Sequence, residues 1–512
     1  MNEHTGKNRD DGVRGGCTRR AFLQGLGAAA VCACARSTGR AHAARRPNIL
    51  FVYTDDQAPW ALGASGNPQA KTPNMDRLAR EGAYLPNAFC TTPVCSPARA
   101  SLLTSRYASE LGILDFIPAP GHKLFTPETL EIGLEPALTT FPEVLSAAGY
   151  KTGLAGKWHV GDWTARDDKK YHPTNHGYDY FMGLTGGGAS PEDPELEKDG
   201  SIQTFDGLTT DILTDHALEF IRANQEDPFL LCLHYRAPHA PWLPVAEEDW
   251  APYEDLDPEI PNPDYPDLNV PRVKKMMREY LASVRGVDRN LGRMLALLDE
   301  LGLEEDTIVI YSSDHGYNMG HNGIWHKGNG IWATKTRPPA TENIASKYRP
   351  NLYDNSLRVP TMVRWPGVIQ PGTVVNETVS SLDWYPTLAA MAGADVPEDA
   401  LVRGRDFLPL LKGGRVPDWD NDFYGEYSMR CYCKTDMRTW RTPRWKLVRD
   451  FLNPERDELY DLVNDPAETT NRIHDPSPEV QAAIQQLHQR ILEQMRKTND
   501  PALALAEKRP DT

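Results

Sequence analysis

The chain has 512 residues, 40% of them hydrophobic and 25% charged, with a formal net charge of −16. That length can bury a large core and that composition is globular, which excludes a disordered or low-complexity protein. The acidic excess argues against a nucleic-acid binder, which needs basic surface to displace counterions, yet it leaves room for a locally basic pocket that takes a small anion.

Residues 1–43 read as an export signal. Arg19 and Arg20 precede Phe22, Leu23 and a short apolar run, and Ala41-His42-Ala43 offers small residues at a cleavage point. This is the pattern of a twin-arginine signal, which places the mature protein in the periplasm or outside the cell. The run from Ala21 to Ala35 is too short and too interrupted to span a bilayer, and no later run is long enough for a transmembrane helix. Three of the eight cysteines lie in this leader. Cys90, Cys95, Cys232, Cys431 and Cys433 remain, too few for a disulfide scaffold and odd in number. The Cys431-x-Cys433 spacing is too tight for most zinc sites.

Beyond the leader, PNILFVYTD (47–55) is a continuous apolar run, a buried strand that ends in carboxylates. The segment 89–107, FCTTPVCSPARASLLTSRY, reads as loop-like, and leaves open whether Cys95 is a disulfide partner, a buried filler or a reactive atom. TFPEVLSAAGY (140–150) predicts a helix stopped by Gly149, and KTGLAGKWH a strand running into a loop. An amphipathic helix follows over 209–224, then the apolar strand PFLLCLHY, a long helix from Val273 to Leu301, and DTIVIYSSDHG, a strand that again ends in an acid. Two loops break the pattern, at 257–271 and 318–350. After about residue 405 come short polar-aromatic strands such as DFYGEYSM and RWKLVRD, then an amphipathic helix from Pro478 to Lys497. The alternation predicts an α/β sandwich around a mostly parallel sheet over 44–405, with a small α+β subdomain over 406–512.

In open α/β sheets ligands bind beyond the carboxyl ends of the strands. Asp55 and Asp56 end one strand, and Asp314 and His315 end another. Adjacent buried carboxylates repel unless a cation compensates them, and an oxygen-rich set suits calcium better than zinc. A lone Asp-Asp pair would read as loop capping; its recurrence at a second strand end points to metal. Lys157 and His159 follow one strand, His239 another, and His326 and Lys327 lie in the long loop. Metal and ammonium groups around one pocket suit a tetrahedral oxyanion.

With Pro97 and Arg99 behind it, Cys95 opens C-x-P-x-R, and the chain resembles the type I sulfatases of the alkaline-phosphatase-like superfamily. The likeness runs from 46 to about 470, through NILFVYTDD, CSPARASLLTSRY, GLAGKWHVG, HPTNHGYDYFMG, YRAPHAPWLP, DTIVIYSSDHGYNMGHNG, RVPTMVRWPG and DELYDLVNDPAE. The resemblance implies an alkaline-phosphatase-like α/β/α sandwich. It implies that a modification enzyme converts Cys95 to formylglycine before folding. A hydroxyl of the hydrated aldehyde would attack sulfur, and the resulting hemiacetal sulfate would collapse by elimination. It implies Asp55, Asp56, Asp314, His315 and the modified Cys95 as calcium ligands. Arg99 and Lys157 would hold the formylglycine, His159 would assist elimination, His239 would protonate the leaving oxygen and Lys327 would bind a sulfate oxygen. His326 is a reserve for a substrate or acid role. The chain departs from the usual pattern at His315, where relatives often carry asparagine, and at Thr104-Ser105, where they often read Thr-Gly.

Three functions stay open at this point: a sulfate-ester hydrolase, a phosphonate or phosphate ester hydrolase on the same scaffold, and a binder of sulfated glycans with an unmodified site. The expected substrate is a sulfated small molecule or glycan. Its grip is expected from loops 163–205, 243–272 and 318–350, where Trp163, Trp242, Trp250, Trp325 and Trp332 either stack on sugar or pack the loops.

Overall fold

A computed structural model describes residues 46–184 and 186–509; the predicted export signal lies outside them. Strands β1 (Asn48–Thr54), β2 (Lys151–Lys157), β3 (Tyr180–Leu184), β4 (Phe229–His234), β5 (Thr307–Ser313) and β6 (Met362–Arg364) form the body of a ten-stranded sheet in the order β6-β5-β1-β4-β2-β3. Short strands at Ala83–Tyr84 and Thr373–Val374 extend it past β6, and Glu195–Lys198 and Ser201–Thr204 extend it past β3. The five strands from β5 to β3 are parallel, with Ile49 opposite both Leu230 and Ile308, and β6 runs against β5. The predicted mostly parallel α/β sheet is therefore the observed one.

Strand β1 explains how the layers are filled. Ile49, Phe51 and Tyr53 point into one core and Leu50 and Val52 into the other, all of them at most 1% exposed. Period-2 alternation of apolar residues on a strand buried on both faces gives a continuous run instead of alternation with polar residues. Helix α1 (Cys95–Thr104) and the helices Phe141–Ala147 and Trp384–Ala392 cover the first face; α2 (Thr209–Asn224) and α3 (Val270–Glu300) cover the second. Phe51 packs between Trp384 and Phe141, with ring centroids at 5.3 and 6.5 Å.

Three local readings change. The segment around Cys95 is not loop-like: Cys95 begins α1, and all ten residues of that helix are buried. A helix buried all round has no polar face and so no amphipathic period. Helix α3 starts at Val270, inside the predicted loop, because Asn269 caps it through the Arg272 N–H at 3.3 Å and Pro271 fits the first turn. The stretch 318–350 contains a three-stranded sheet of Asn318–Met319, Ile324–His326 and Ile331–Trp332, whose strands are too short to show a period.

The C-terminal subdomain is a four-stranded antiparallel sheet (Phe423–Tyr427, Met437–Arg441, Trp445–Asp450, Glu458–Asp461) under helix α4 (Pro478–Thr498). Leu447 and Leu459 pack against Val480, Ile484, Leu487 and Ile491. Buried polar contacts join it to the sheet domain. Lys446 reaches Asp354 at 2.8 Å, Glu468 accepts from the Asp354 amide at 2.6 Å, and Glu426 accepts from the Ser109 amide at 2.7 Å. All five cysteines of the described chain are free. Cys90 packs under the site, with its thiol 3.9 Å from the Ser356 carbonyl.

Candidate active site

Parallel strands deliver their carboxyl ends to one edge of a sheet, and β5, β1, β4 and β2 are consecutive neighbours. Asp55-Asp56 leave β1, Asp314-His315 leave β5, Lys157 closes β2 with His159 just past it, and His239 lies five residues after β4. Side chains as far apart in sequence as Asp55 and Lys327 thereby meet around the first turn of α1. The partial positive charge at a helix N-terminus faces the same spot as Cys95.

Asp55, Asp56, Cys95 and His315 each turn one ligand atom into a cluster in which all four lie within 4.8 Å of one another. Cys95 Sγ is 3.5 Å from Asp55 Oδ1, and His315 Nε2 is 3.3 Å from Asp56 Oδ1. Asp314 stands beside them. Its Oδ1 is 3.2 Å from His315 Nε2 and accepts the Asp56 amide at 3.1 Å, while its Oδ2 accepts from Arg99 Nε and Nη2 at 3.1 and 3.0 Å. Asp56 Oδ2 and His315 Nε2 are buried without a hydrogen-bond partner. Three fully buried carboxylates beside two unpartnered ligand atoms, Asp56 Oδ2 and His315 Nε2, are a donor set for a hard divalent cation, so the residues present fit a calcium ion.

The cations around this cluster are equally buried. Lys157 pairs with Asp55 and donates to the Gly187 carbonyl at 2.7 Å. Lys327 lies 2.7 Å from Asp56 Oδ1 and 2.9 Å from Cys95 Sγ. Arg99 also donates to the Lys157 carbonyl at 3.0 Å, so its hydrogen bonds go to Asp314 and to the β2 backbone and not to Cys95 itself. Burial and the Asp55 charge push the Cys95 thiol up, but Lys157 and Lys327 outweigh them and hold it at about 6. Burial pushes the Asp56 carboxyl up to about 7 against the pull of Lys327. Burial also acts upward on Asp55, where Lys157 prevails and keeps it well below the usual carboxylate range.

His159 and His239 are oriented by backbone carbonyls, which accept only. His159 Nε2 donates to the Ile117 carbonyl at 2.9 Å, leaving Nδ1 as a bare acceptor without a partner. His239 Nδ1 donates to the Ala240 carbonyl at 2.7 Å, leaving Nε2 to exchange a proton. His326 bonds Asn329 through Nδ1 at 2.7 Å and has φ +85°, a strained conformation at the edge of the site. The sequence-predicted residues Asp55, Asp56, Cys95, Arg99, Lys157, His159, His239, Asp314, His315, His326 and Lys327 are thus gathered at one place.

A cleft of about 490 Å³ opens over Cys95. His159, His239, His326 and Lys327 line it, joined by Gly186–Gly188 from the expected loop 163–205 and by Lys347 and Tyr348 from the expected loop 318–350; the loop Phe116–His122 and Tyr432 are groups that sequence reasoning missed. The middle glycine is explained by space, since a Cβ on Gly187 would fall 2.8 Å from the His159 ring. The five tryptophans of the loops do not line the cleft. Trp163 donates to Glu197 at 2.6 Å, and Trp242 packs edge-on against Tyr280 and Trp325. Lys327 is set by its neighbours. Asn351 donates to the Lys327 carbonyl at 3.0 Å, and the Gly328 amide donates to the Pro93 carbonyl at 3.0 Å. Loop asparagines with partners 24 residues away carry no periodic signal that would reveal them.

This fold and this site define an alkaline-phosphatase-like enzyme, a hydrolase of sulfuric esters. Residues 47–394 match the Sulfatase family and residues 348–498 match the family of N-sulphoglucosamine sulphohydrolase C-terminal regions. The chain belongs to the sulfatase family. It is 30% identical to a steryl-sulfatase of Rattus norvegicus over 77% of this chain and 74% of that one. It is 26% identical to an N-acetylglucosamine-6-O-sulfatase of Bacteroides thetaiotaomicron over 83% and 82%. A solved structure of a protein in complex with its substrate D-glucosamine-2-N,6-O-disulfate shares the fold with a TM-score of 0.74 and 24% identity, covering 91% of this chain and all of that one.

Proposed function

We propose that the protein is an exported, calcium-dependent sulfatase that hydrolyses sulfate esters of carbohydrates through a formylglycine at position 95. The observation that carries this reading is the single buried cluster that joins Cys95 to Asp55, Asp56 and His315, with Lys327 2.9 Å from its sulfur. Relatives that act on sulfated sugars by name support the carbohydrate class. The Arg19-Arg20 leader supports export.

Asp55, Asp56, Asp314, His315 and residue 95 would hold the calcium ion. When present, the ion would supply positive charge for a sulfate oxygen and the modified residue a nucleophilic hydroxyl. The rest falls to side chains already in place. Lys157 offsets the Asp55 charge, and Arg99 fixes Asp314 from behind. Lys327 offers its ammonium to the sulfate as charge builds on the oxygens. His159 Nδ1, an acceptor by virtue of its bond to Ile117, takes a hydroxyl proton from residue 95. His239 Nε2 gives a proton to the departing alkoxide. Burial of all the carboxylates excludes water and strengthens each charge interaction.

The test is turnover by purified enzyme, made together with a formylglycine-generating enzyme, on sulfated mono- and disaccharides, 4-nitrophenyl sulfate and a phosphonate monoester. Sulfate release from the sugars, an aldehyde at position 95 by mass spectrometry, and loss of turnover with an intact fold in Cys95→Ala are expected. Full residual activity in that variant, or turnover of the phosphonate alone, refutes the reading.

A further inference from the structure

The cleft has a second end. Beyond Lys327 and His326 its rim is built by Tyr348 and Tyr432, whose rings stack at 4.9 Å and 14°. Lys347 holds its ammonium over the Tyr348 ring at 5.3 Å, and Lys123 holds its own over the Tyr432 ring at the same distance. Both lysines are exposed, and neither pairs with a carboxylate among the described residues. In a chain with a net charge of −16, two unpaired ammonium groups at the mouth of one cleft stand out from the acidic surface.

The rim is also fixed in advance. Tyr348 forms a backbone bridge with Ile331, and the Arg349 amide bonds the Gly330 carbonyl at 2.7 Å. On the other side, Asp115 accepts from the Arg430 and Cys431 amides at 2.8 and 2.9 Å, which anchors the turn that carries Tyr432. Such preorganisation lowers the ordering cost of binding. The rim is continuous with the reacting end, since Lys347, Tyr348 and Tyr432 line the same cleft as His326 and Lys327.

We propose that Lys347 and Lys123, set on the Tyr348–Tyr432 stack, bind a second anionic group, so that the preferred substrate is a sulfated sugar carrying a further sulfate or carboxylate. The inference rests on the proposed sulfatase reading of the same cleft. The stacked tyrosines give the two ammonium groups a fixed platform, and the lysines meet the charge of the second anionic group. An aryl sulfate without a second anion leaves that rim unused.

The experiment compares kcat/KM for a monosulfated hexosamine, its disulfated counterpart, and the same monosulfated sugar linked to a uronic acid, with 4-nitrophenyl sulfate as reference. Preference for the disulfated sugar identifies a second sulfate as the bound anion; preference for the uronic acid conjugate identifies a carboxylate. In Lys347→Ala and in Lys123→Ala the ratio of dianionic to monosulfated kcat/KM falls by about fivefold, as for a partly screened charge contact. A ratio is read because loss of folded enzyme cancels from it. Equal kcat/KM for all three sugars, or a ratio unmoved in both variants, overturns the inference while the sulfatase reading stands. No turnover of any sugar or of the nitrophenyl ester overturns both.

Discussion

The acid role proposed for His239 rests on one hydrogen bond. Because Nδ1 is committed to the Ala240 carbonyl, only Nε2 remains to protonate a leaving group. A general acid matters in proportion to how poor the leaving group is, and contributes about 10²- to 10⁴-fold when needed. His239→Ala is therefore expected to lose about that factor in kcat on a sugar sulfate, whose alkoxide is a poor leaving group, and far less on 4-nitrophenyl sulfate. Parallel losses on both substrates would assign His239 to binding instead. At this scale the charged residues were legible in the sequence because acids recur at a second strand end and lysines and histidines follow the neighbouring strands. Gly187, Asn351 and Tyr432 were not, since a glycine beside His159 or an asparagine under Lys327 acquires its role only from a partner far along the chain.

Strands were readable because burial on both faces leaves a run such as ILFVY with no polar break, and that same burial hid helix α1. Its pattern lacks the polar face on which helix recognition depends. The element contacts also explain stability. Lys446 leaves the C-terminal sheet fully buried between Asp354 and Glu468. Asp354 has Arg358 and Arg441 besides, so removing Lys446 falls mainly on Glu468. Lys446→Met should lower stability by about 3–5 kcal/mol near neutral pH, the cost of breaking a buried pair. Burial already raises the Glu468 carboxyl to about 7, so it binds its proton more tightly folded than unfolded. Its contribution is present below the unfolded carboxylate value of about 4.3 and is lost as pH rises through about 7. The deficit of Lys446→Met in urea unfolding should accordingly shrink on acidification and grow on raising the pH. A deficit independent of pH would place the loss elsewhere, in packing of the lysine stem.

For the molecule as a whole, the carboxyl-end edge of the sheet gathers three carboxylates that are 0% exposed. A bound divalent ion would compensate them in the folded state only, so chelation should cost stability as well as activity. At calcium 100-fold above its Kd, binding contributes about 2.7 kcal/mol. Treatment with EDTA should lower the midpoint of thermal unfolding and abolish turnover, with calcium restoring both; an unchanged midpoint would argue against a metal on these ligands. The mostly parallel sheet and the helices near 140–150, 209–224 and 273–301 followed from the sequence, whereas the shape of the cleft did not. Its far wall comes from Tyr432, across the boundary between the sheet domain and the C-terminal subdomain, and long-range closure of that kind leaves no mark on local pattern.

Helix α1 has one more consequence. Its first residue is 3% exposed and sits beneath a glycine-roofed cleft, against Lys327 and Asp55. No macromolecule of catalytic size can close around that side chain once the chain has collapsed. Any enzyme that rewrites residue 95 must therefore work on the nascent strand, in a race against folding. On the proposed formylglycine reading, a chain that folds before residue 95 is altered would keep its thiol and lack the nucleophile.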